Sequence, residues 1–289
     1  MAHPYRGITV ALSTKHSKEL LIAPVLAKLG IQTEHQEWDT DQLGTFSPET
    51  PRTLSQRDTA IRKARIGMSK SGCSYGIASE GSVGADPSLP FVNSTLEMIA
   101  WVDDVNEFEL VEYERGLEVV ATKKLFKEGD DLETFLNSTD FPNHALIVYP
   151  EGEKRPIYKG LRGREELEVA LKDSLAKSNS GNAIIESDLR AHMSPSRAKV
   201  IMRCAEKLVA RLAELCPSCA LPGFGKVGNL AGLNCEECGE VVPNAIRGEI
   251  LGCVKCDYKI EKLNGNTKVS PVNCLVSVSY THLTLPTKA

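Results

Sequence analysis

The sequence predicts an α/β fold, a mixed sheet flanked by helices, with a small cysteine-rich module at its C-terminal end. Apolar, β-branched runs alternate with helical patterns along the first part of the chain, as the elements of α/β proteins do. Six of the nine cysteines then form three C-x-x-C pairs, Cys216/Cys219, Cys235/Cys238 and Cys253/Cys256. We therefore divide the chain into an α/β domain at 1–215, a module at 216–274 and a tail at 275–289.

The first forty or so residues have the pattern of a β-α-β unit. A strand, a helix and a second strand are predicted at 8–14, 20–29 and 31–38. Ligands of such units bind at the carboxyl ends of the strands. Lys15 and Lys18 follow the first strand and Asp41 follows the second, so we expect these side chains to line a binding site.

A basic helix and an acid at the end of a strand come next. The helix, at 53–69, carries Arg57 and Arg65, which we expect near a phosphate; the alternative is that they lie on a solvated helix face. A short strand then leads into a glycine-containing turn with Glu80 at the junction. Glu80 is the best candidate for a carboxylate that binds a metal, and the alternative is a surface residue of a hairpin turn.

The rest of the α/β domain holds further strands, further helices and a second cluster of candidate site residues. Strands are predicted at 95–102, 108–113, 116–121 and 141–150, and helices at 124–137, 165–178 and 195–215. His144, at the start of a strand, is more typical of a hydrogen-bonded structural histidine than of a catalytic one. Polar residues gather before the last helix, where Asp188 and His192 are candidate catalytic residues and Arg190 and Arg197 candidate phosphate ligands.

The spacing of the cysteines predicts zinc. Two residues between cysteines let both thiolates of a knuckle reach one metal ion. The N-terminal residues lack the apolar core of a secretory signal, so we expect a reducing cytoplasm and favour zinc over disulfides. Short β segments between the cysteines predict a zinc ribbon with a structural role, and the pairing of the knuckles stays open.

Composition argues against two kinds of partner. The net charge of −4 gives no general attraction to nucleic acid, and no run of eighteen apolar residues predicts a membrane span. The module at 216–274 has six basic and six acidic residues, a balance that does not favour phosphate-backbone binding. We expect the module to be structural or to dock a protein partner.

Several motifs along the chain resemble a bacterial family known as domain of unknown function 6671. They include Ser13-Thr-Lys-His-Ser-Lys-Glu19, Ala78-Ser-Glu-Gly-Ser82, Asp188-Leu-Arg-Ala-His192 and Leu215-Cys-Pro-Ser-Cys219. The resemblance brings no established activity.

The chain departs from the pattern of that family at two positions. Pro48 stands where the family usually has Gly, and Ser277 stands where a fourth C-x-x-C pair, begun by Cys274, would end. Residues 275–289 share neither composition nor pattern with what precedes them, so we interpret them as a non-native tail. Cys274 is then a metal ligand, and the intact module would hold eight thiolates, enough for two zinc ions.

The order of elements is also similar to the inosine triphosphate pyrophosphatase-like fold. That resemblance implies a nucleotide or another phosphorylated small molecule held by Lys15, Lys18 and Arg197, and magnesium held by Glu80 and Asp41, with hydrolysis as the reaction. Two alternatives stay open, a nucleotide sensor without catalysis and a zinc-ribbon adaptor.

Overall fold

The computed structural model describes residues 2–36 and 54–277. The chain forms two compact units, Met1–Val209 and Ala210–Ala289. Asp41 and Pro48 lie outside the described residues. Among the residues that are described, no helix is long and apolar enough to cross a membrane.

The first half of the larger unit is a five-stranded mixed sheet. Its elements are β1 (Thr9–Ser13), α1 (Glu19–Ala27), β2 (Gln32–His35), α2 (Gln56–Ser71), β3 (Tyr75–Ala85), β4 (Asn93–Asp103) and β5 (Phe108–Gly116). The strand order is β2-β1-β3-β4-β5. β1 is parallel to β2 and β3, whereas β4 and β5 continue the sheet antiparallel. The predicted β-α-β unit and the mixed sheet are confirmed.

Helix α2 packs on one face of this sheet through small and medium side chains. Ala60, Ala64 and Met68 are buried against a group that includes Ala11 and Ala78. Alanines at the contact let the helix approach the strands closely, and close approach increases dispersion contacts. Both ends of α2 are well capped, because Ser55 accepts the Asp58 N–H and Gly72 takes the left-handed conformation, with φ of 75°.

The second half of the unit is a separate, antiparallel sheet with helices beside it. Its elements are β6 (Lys123–Phe126), α3 (Leu132–Ser138), β7 (Leu146–Pro150), β8 (Tyr158–Leu161), α4 (Arg164–Lys177) and β9 (Ala183–Ser187), and the strand order is β6-β9-β7-β8. Helix α5 (Pro195–Ala213) follows a short 3-10 turn. The α/β class is confirmed, but it is built from two sheets, whereas the sequence predicted one.

Two predicted elements between the sheets are wrong. Residues 117–121 contain no strand, and the predicted helix at 124–137 is a strand followed by a shorter helix that begins only at Leu132. The reason is tertiary: β6 pairs antiparallel with β9, which buries Phe126 in the second core. Gly129, with φ of 85°, lies between the strand and the helix. Strand pairing with residues at least 57 positions further along the chain therefore outweighs the local helical pattern.

The C-terminal unit is a four-stranded sheet with the strand order β12-β11-β10-β13. Its strands are β10 (Gly225–Cys235), β11 (Val241–Gly252), β12 (Lys259–Leu263) and β13 (Lys268–Val269). β10 and β11 form a long antiparallel hairpin with register shifts along it. Cys235 ends β10 and Cys253 follows β11, so cysteines stand at both ends of the hairpin.

We expect Gly76→Ala to destabilise the larger unit by about 1–3 kcal/mol, because overpacking a dense core forces side chains and backbone apart. A Cβ at position 76 would lie 2.6 Å from the Met68 side chain and 2.9 Å from the Ala64 carbonyl oxygen. Gly84→Ala, on the same strand, is the control, since nothing lies within 4 Å of a Cβ there. Urea denaturation measures both, and equal free energies of unfolding would contradict the packing argument.

Candidate functional site

A cleft of about 1140 Å³ is lined by residues of both sheets of the larger unit. It exists because β1 ends at Ser13, whereas β3 pairs with β1 only as far as Ala78 and then continues to Ala85. The turn after β1 and the outer half of β3 therefore line one side. Ile147 and Tyr149 of β7 are among the residues that line the cleft from the second sheet.

The cleft is strongly basic although the chain as a whole is acidic. Its described lining includes nine basic side chains and four acidic ones. The basic residues are Lys15, Lys18, Lys63, Lys123, Lys154, Arg155, Lys159, Arg190 and Arg197, and the acidic ones are Glu80, Glu153, Glu186 and Asp188. Since concave, low-dielectric walls focus an electric field, such a cleft attracts anions.

A buried ion pair lies at the floor of the cleft. Arg197 Nε donates to Glu97 Oε1 at 2.6 Å, and Arg197 Nη1 donates to the Leu189 carbonyl oxygen at 2.6 Å. Thr95 Oγ1 donates to the same Glu97 oxygen at 2.9 Å. Gly81 stands opposite Glu97 in the β3–β4 ladder, and a Cβ there would overlap the carboxylate and lie 2.5 Å from Arg197 Nη2. Glycine at 81 is therefore a condition for the ion pair.

Two lysines complete the charges of the floor. Lys63 Nζ lies 2.7 Å from Glu80 Oε2, and both side chains are buried. Lys18 Nζ lies 3.6 Å from Glu97 Oε2, and burial lowers the pKa of Lys18 to about 8. Glu80 lines the cleft as expected for a site residue, but not at a strand end. It lies within the eleven-residue β3, because β3 continues through the glycines that suggested a turn.

Of the polar residues before the last helix, Asp188 and Arg190 line the cleft, whereas His192 does not. Arg190 donates to both oxygens of Asp188, at 2.9 Å from Nε to Oδ1 and 2.5 Å from Nη2 to Oδ2, and both residues line the cleft. His192 is not among the lining residues. Its Nδ1 donates to the His16 carbonyl oxygen at 3.1 Å, and the two imidazole rings stack with centroids 5.8 Å apart.

Arg57 and Arg65 lie outside the cleft lining, unlike Lys15 and Lys18. Arg65 donates to Asp104 at 3.0 Å and to Glu109 at 2.8 Å, and about half of its side chain is exposed. Arg57 pairs with Asp58 at 3.6 Å. Both arginines therefore pair with surface carboxylates, as expected for the alternative in which they lie on a solvated helix face.

Asp140, His144 and Ser196 are arranged like a hydrolytic triad, with His144 Nε2 2.9 Å from Ser196 Oγ, but none of the three lines the cleft. His144 Nδ1 lies 3.0 Å from Asp140 Oδ2, so it donates to the carboxylate and leaves Nε2 as an acceptor. Nε2 accepts the Ser196 N–H at 3.1 Å, at the start of α5. Ser196 Oγ in turn accepts the Val120 N–H at 3.0 Å. His144 therefore accepts a hydrogen bond from the first turn of α5, and the sequence context had favoured a hydrogen-bonded structural histidine.

The C-terminal unit holds two groups of cysteines whose sulfur atoms lie within 4.8 Å of one another, and each group can hold a metal ion such as zinc. The first contains Cys216, Cys219, Cys253 and Cys256, and the second contains Cys235, Cys238 and Cys274. All seven thiols are free of disulfides. The first and third C-x-x-C pairs thus share one site, a pairing that the sequence left open.

Hydrogen-bond donors stabilise one thiolate in each group. Burial raises the pKa of Cys216, but N–H donors of Cys219 and Ser218 outweigh it, and the pKa falls to about 7. The Ser277 hydroxyl lies 3.3 Å from Cys235 Sγ and is the largest cause that lowers the pKa of Cys235 to about 7. Ser277 therefore stands where a fourth thiolate would complete the second group.

A family model described as a domain of unknown function (DUF6671) matches residues 63–275. The chain belongs to this family. The DUF6671 match covers Lys63, Glu80, Asp188 and all seven clustered cysteines, whereas Lys15 and Lys18 precede it. No curated protein and no solved structure matches the chain.

Sequence reasoning on this DUF6671 chain missed several site residues. Glu97 is the most informative, because an acid inside the apolar run Thr95–Val102 is a signal of a buried, paired charge that could have been used. Lys63 lies on the apolar side of α2, between Ala60 and Gly67, and its burial could have been inferred in the same way.

We expect the four-cysteine group to retain its metal ion longer than the three-cysteine group, since four thiolates complete a tetrahedron. Ser277→Cys should slow metal release from the second group by about tenfold or more, the size of effect expected from improving the ligands of such a site. Elemental analysis and release to a chelating dye measure both sites. Cys73→Ser, outside both groups, is the control. Identical release from the two groups, or no effect of Ser277→Cys, would contradict this assignment.

Proposed function

We propose that the cleft binds a nucleotide or another phosphorylated small molecule. The observation that carries the proposal is the excess of basic over acidic side chains in the cleft lining of a chain with net charge −4. Charge of this sign is concentrated where a ligand would be enclosed, and the cavity volume of about 1140 Å³ accommodates a ligand of nucleotide size.

Eight of the nine cations that line the cleft fall into two classes. Lys18, Lys63, Lys123, Arg190 and Arg197 each pair with a carboxylate. Those carboxylates hold the cations in place and neutralise part of their charge.

The segment between β7 and β8, together with β8 itself, supplies cations of the second class. Lys154, Arg155 and Lys159 are exposed, line the cleft and form no ion pair within the described part of the chain. Because a phosphate here would displace only water and no carboxylate, we assign the outer phosphate contacts to these three residues.

We expect the double variant Lys154→Ser/Arg155→Ser to bind inorganic tripolyphosphate and nucleoside triphosphates about tenfold or more weakly, as the loss of two charge-assisted contacts implies. Lys172→Ser, an exposed lysine of α4 outside the cleft lining, is the control and should bind as the wild type does. Titration calorimetry measures the affinities, with and without magnesium. If the wild type binds no member of this panel, the proposed function is wrong.

Hydrolysis of the bound nucleotide is a second candidate, favoured by the carboxylates of Glu80 and Asp188 in the same cleft. Magnesium usually keeps several waters and is held by one or two carboxylates together with substrate phosphates. Among the described residues, the only groups of three or more metal-ligating side chains are the cysteines. Magnesium would therefore enter with the nucleotide, and the reaction would be that of a nucleoside triphosphate pyrophosphatase.

For this candidate, Glu80→Gln should abolish release of pyrophosphate or phosphate from nucleoside triphosphates, because it removes the charge that would hold magnesium. Glu153→Gln, an exposed acid of the same cleft, is the matched control and should leave the rate unchanged. A colorimetric phosphate assay with added pyrophosphatase measures turnover. Binding without turnover of any nucleotide would reject hydrolysis and leave a nucleotide sensor.

We also propose that the metal of the cysteine groups is zinc and that its role is structural. Four thiolates from two knuckles form the usual closed zinc site. The hairpin between the groups buries few side chains, so metal binding would supply much of the folding free energy of this unit.

A further inference from the structure

Five buried ionisable groups lie together at the floor of the cleft, apart from Asp188, which is also buried and pairs with Arg190. Lys18, Lys63 and Arg197 are 7 %, 7 % and 4 % exposed, and Glu80 and Glu97 are 6 % and 1 % exposed. Within the described part of the chain, three cations thus face two carboxylates. An excess charge in a poorly hydrated place is unfavourable unless a counter-ion arrives or one group becomes neutral.

Lys18 is the cation that is held least tightly. Its Nζ lies 3.6 Å from Glu97, whereas Lys63 lies 2.7 Å from Glu80 and Arg197 lies 2.6 Å from Glu97. The Glu97 carboxylate also accepts the Thr95 hydroxyl and is therefore already well satisfied. Arginine does not lose its proton in proteins, so of the two cations that pair with Glu97, Lys18 and Arg197, only Lys18 can become neutral.

Charged groups of four elements act on Lys18. Glu97 of β4 and Glu80 of β3 favour its charged form, whereas Arg197 of α5 and Lys63 of α2 oppose it. Lys18 itself lines the cleft, so an anion bound there would be added to the first pair.

We propose that Lys18 couples ligand binding to proton uptake in alkaline solution: there it gives up its proton in the empty cleft and regains one from solvent when a phosphoryl group of the ligand binds beside it. This inference rests on the proposed function and specifies how the same site recognises charge. The step forms one N–H bond, and the proton comes from the buffer. The bound phosphate then adds negative charge beside the protonated amine.

The direction of the pH effect follows from burial, which lowers the pKa of Lys18 to about 8. Below that pH the amine is already protonated, and affinity should not change with pH through Lys18. Above it, binding must bring a proton into the site, so affinity should fall by up to about tenfold per pH unit. By the same linkage, a phosphate bound beside the amine raises the pKa of Lys18 again.

Titration calorimetry with inorganic tripolyphosphate at pH 7 and pH 9, in two buffers with different ionisation enthalpies, measures the protons taken up. From a pKa of about 8, Lys18 should contribute about 0.1 proton at pH 7 and about 0.9 at pH 9. Lys18→Arg should keep binding and lose this uptake. Lys159→Met, in the same cleft, should bind more weakly and keep it.

A second measurement needs no ligand. Because the pKa of Lys18 is lower in the folded than in the unfolded chain, the unfolded chain binds more protons between about pH 8 and pH 10. The free energy of unfolding of the wild type, relative to that of Lys18→Met, should therefore rise with pH over that range.

The outcomes separate this inference from the proposed function. Tripolyphosphate binding with equal proton uptake in the wild type and Lys18→Arg overturns the coupling and leaves the proposed function standing. The absence of binding at both pH values overturns both. Parallel stability curves for the wild type and Lys18→Met overturn the claim that Lys18 loses its proton in the empty cleft.

Discussion

The buried carboxylate of Glu97 is the constraint on which the larger unit depends. A carboxylate that is 1 % exposed must be paired, and its partners come from distant parts of the chain, Arg197 from the start of α5 and Lys18 from the turn after β1. These elements have to meet beside β4, and Gly81 leaves the space in which they do. The ion pairs of Glu97 therefore both form the floor of the cleft and hold the start of α5 and the turn after β1 beside β4.

The sequence predicted what depends on short-range patterns. The β-α-β unit follows from apolar periodicity, and the metal-ligating cysteines follow from C-x-x-C spacing. Pairings between distant segments were missed: β6 joins β9, and this pairing divided the expected single sheet into two. Of the residues that line the cleft, Lys15 and Lys18 were predicted because they follow a strand, Arg197 because it stands in a polar cluster, and Glu80 because the glycines beside it suggested a turn. Glu97, inside an apolar strand, was missed.

Net charge was a poor guide to the local field. A chain with an excess of acids can still enclose a basic cleft, because its carboxylates are distributed elsewhere, for example on β5 and α4. The field that a small anion meets is set by the side chains within a Debye length, about 8–10 Å. Composition can therefore argue against a polyanion that covers the whole surface, but not against a small one that enters a cleft.

The position of the cysteine groups at opposite ends of the β10–β11 hairpin has a consequence for metal loading. Ten residues of extended chain separate Cys235 from Gly225, which pairs with Gly252 next to Cys253, so the two ions would lie on the order of 30 Å apart. At that distance in physiological salt their mutual repulsion is screened. Repulsion between the two ions would therefore not couple the sites, and partial loading would give hairpins that are ordered at the loaded end and frayed at the other.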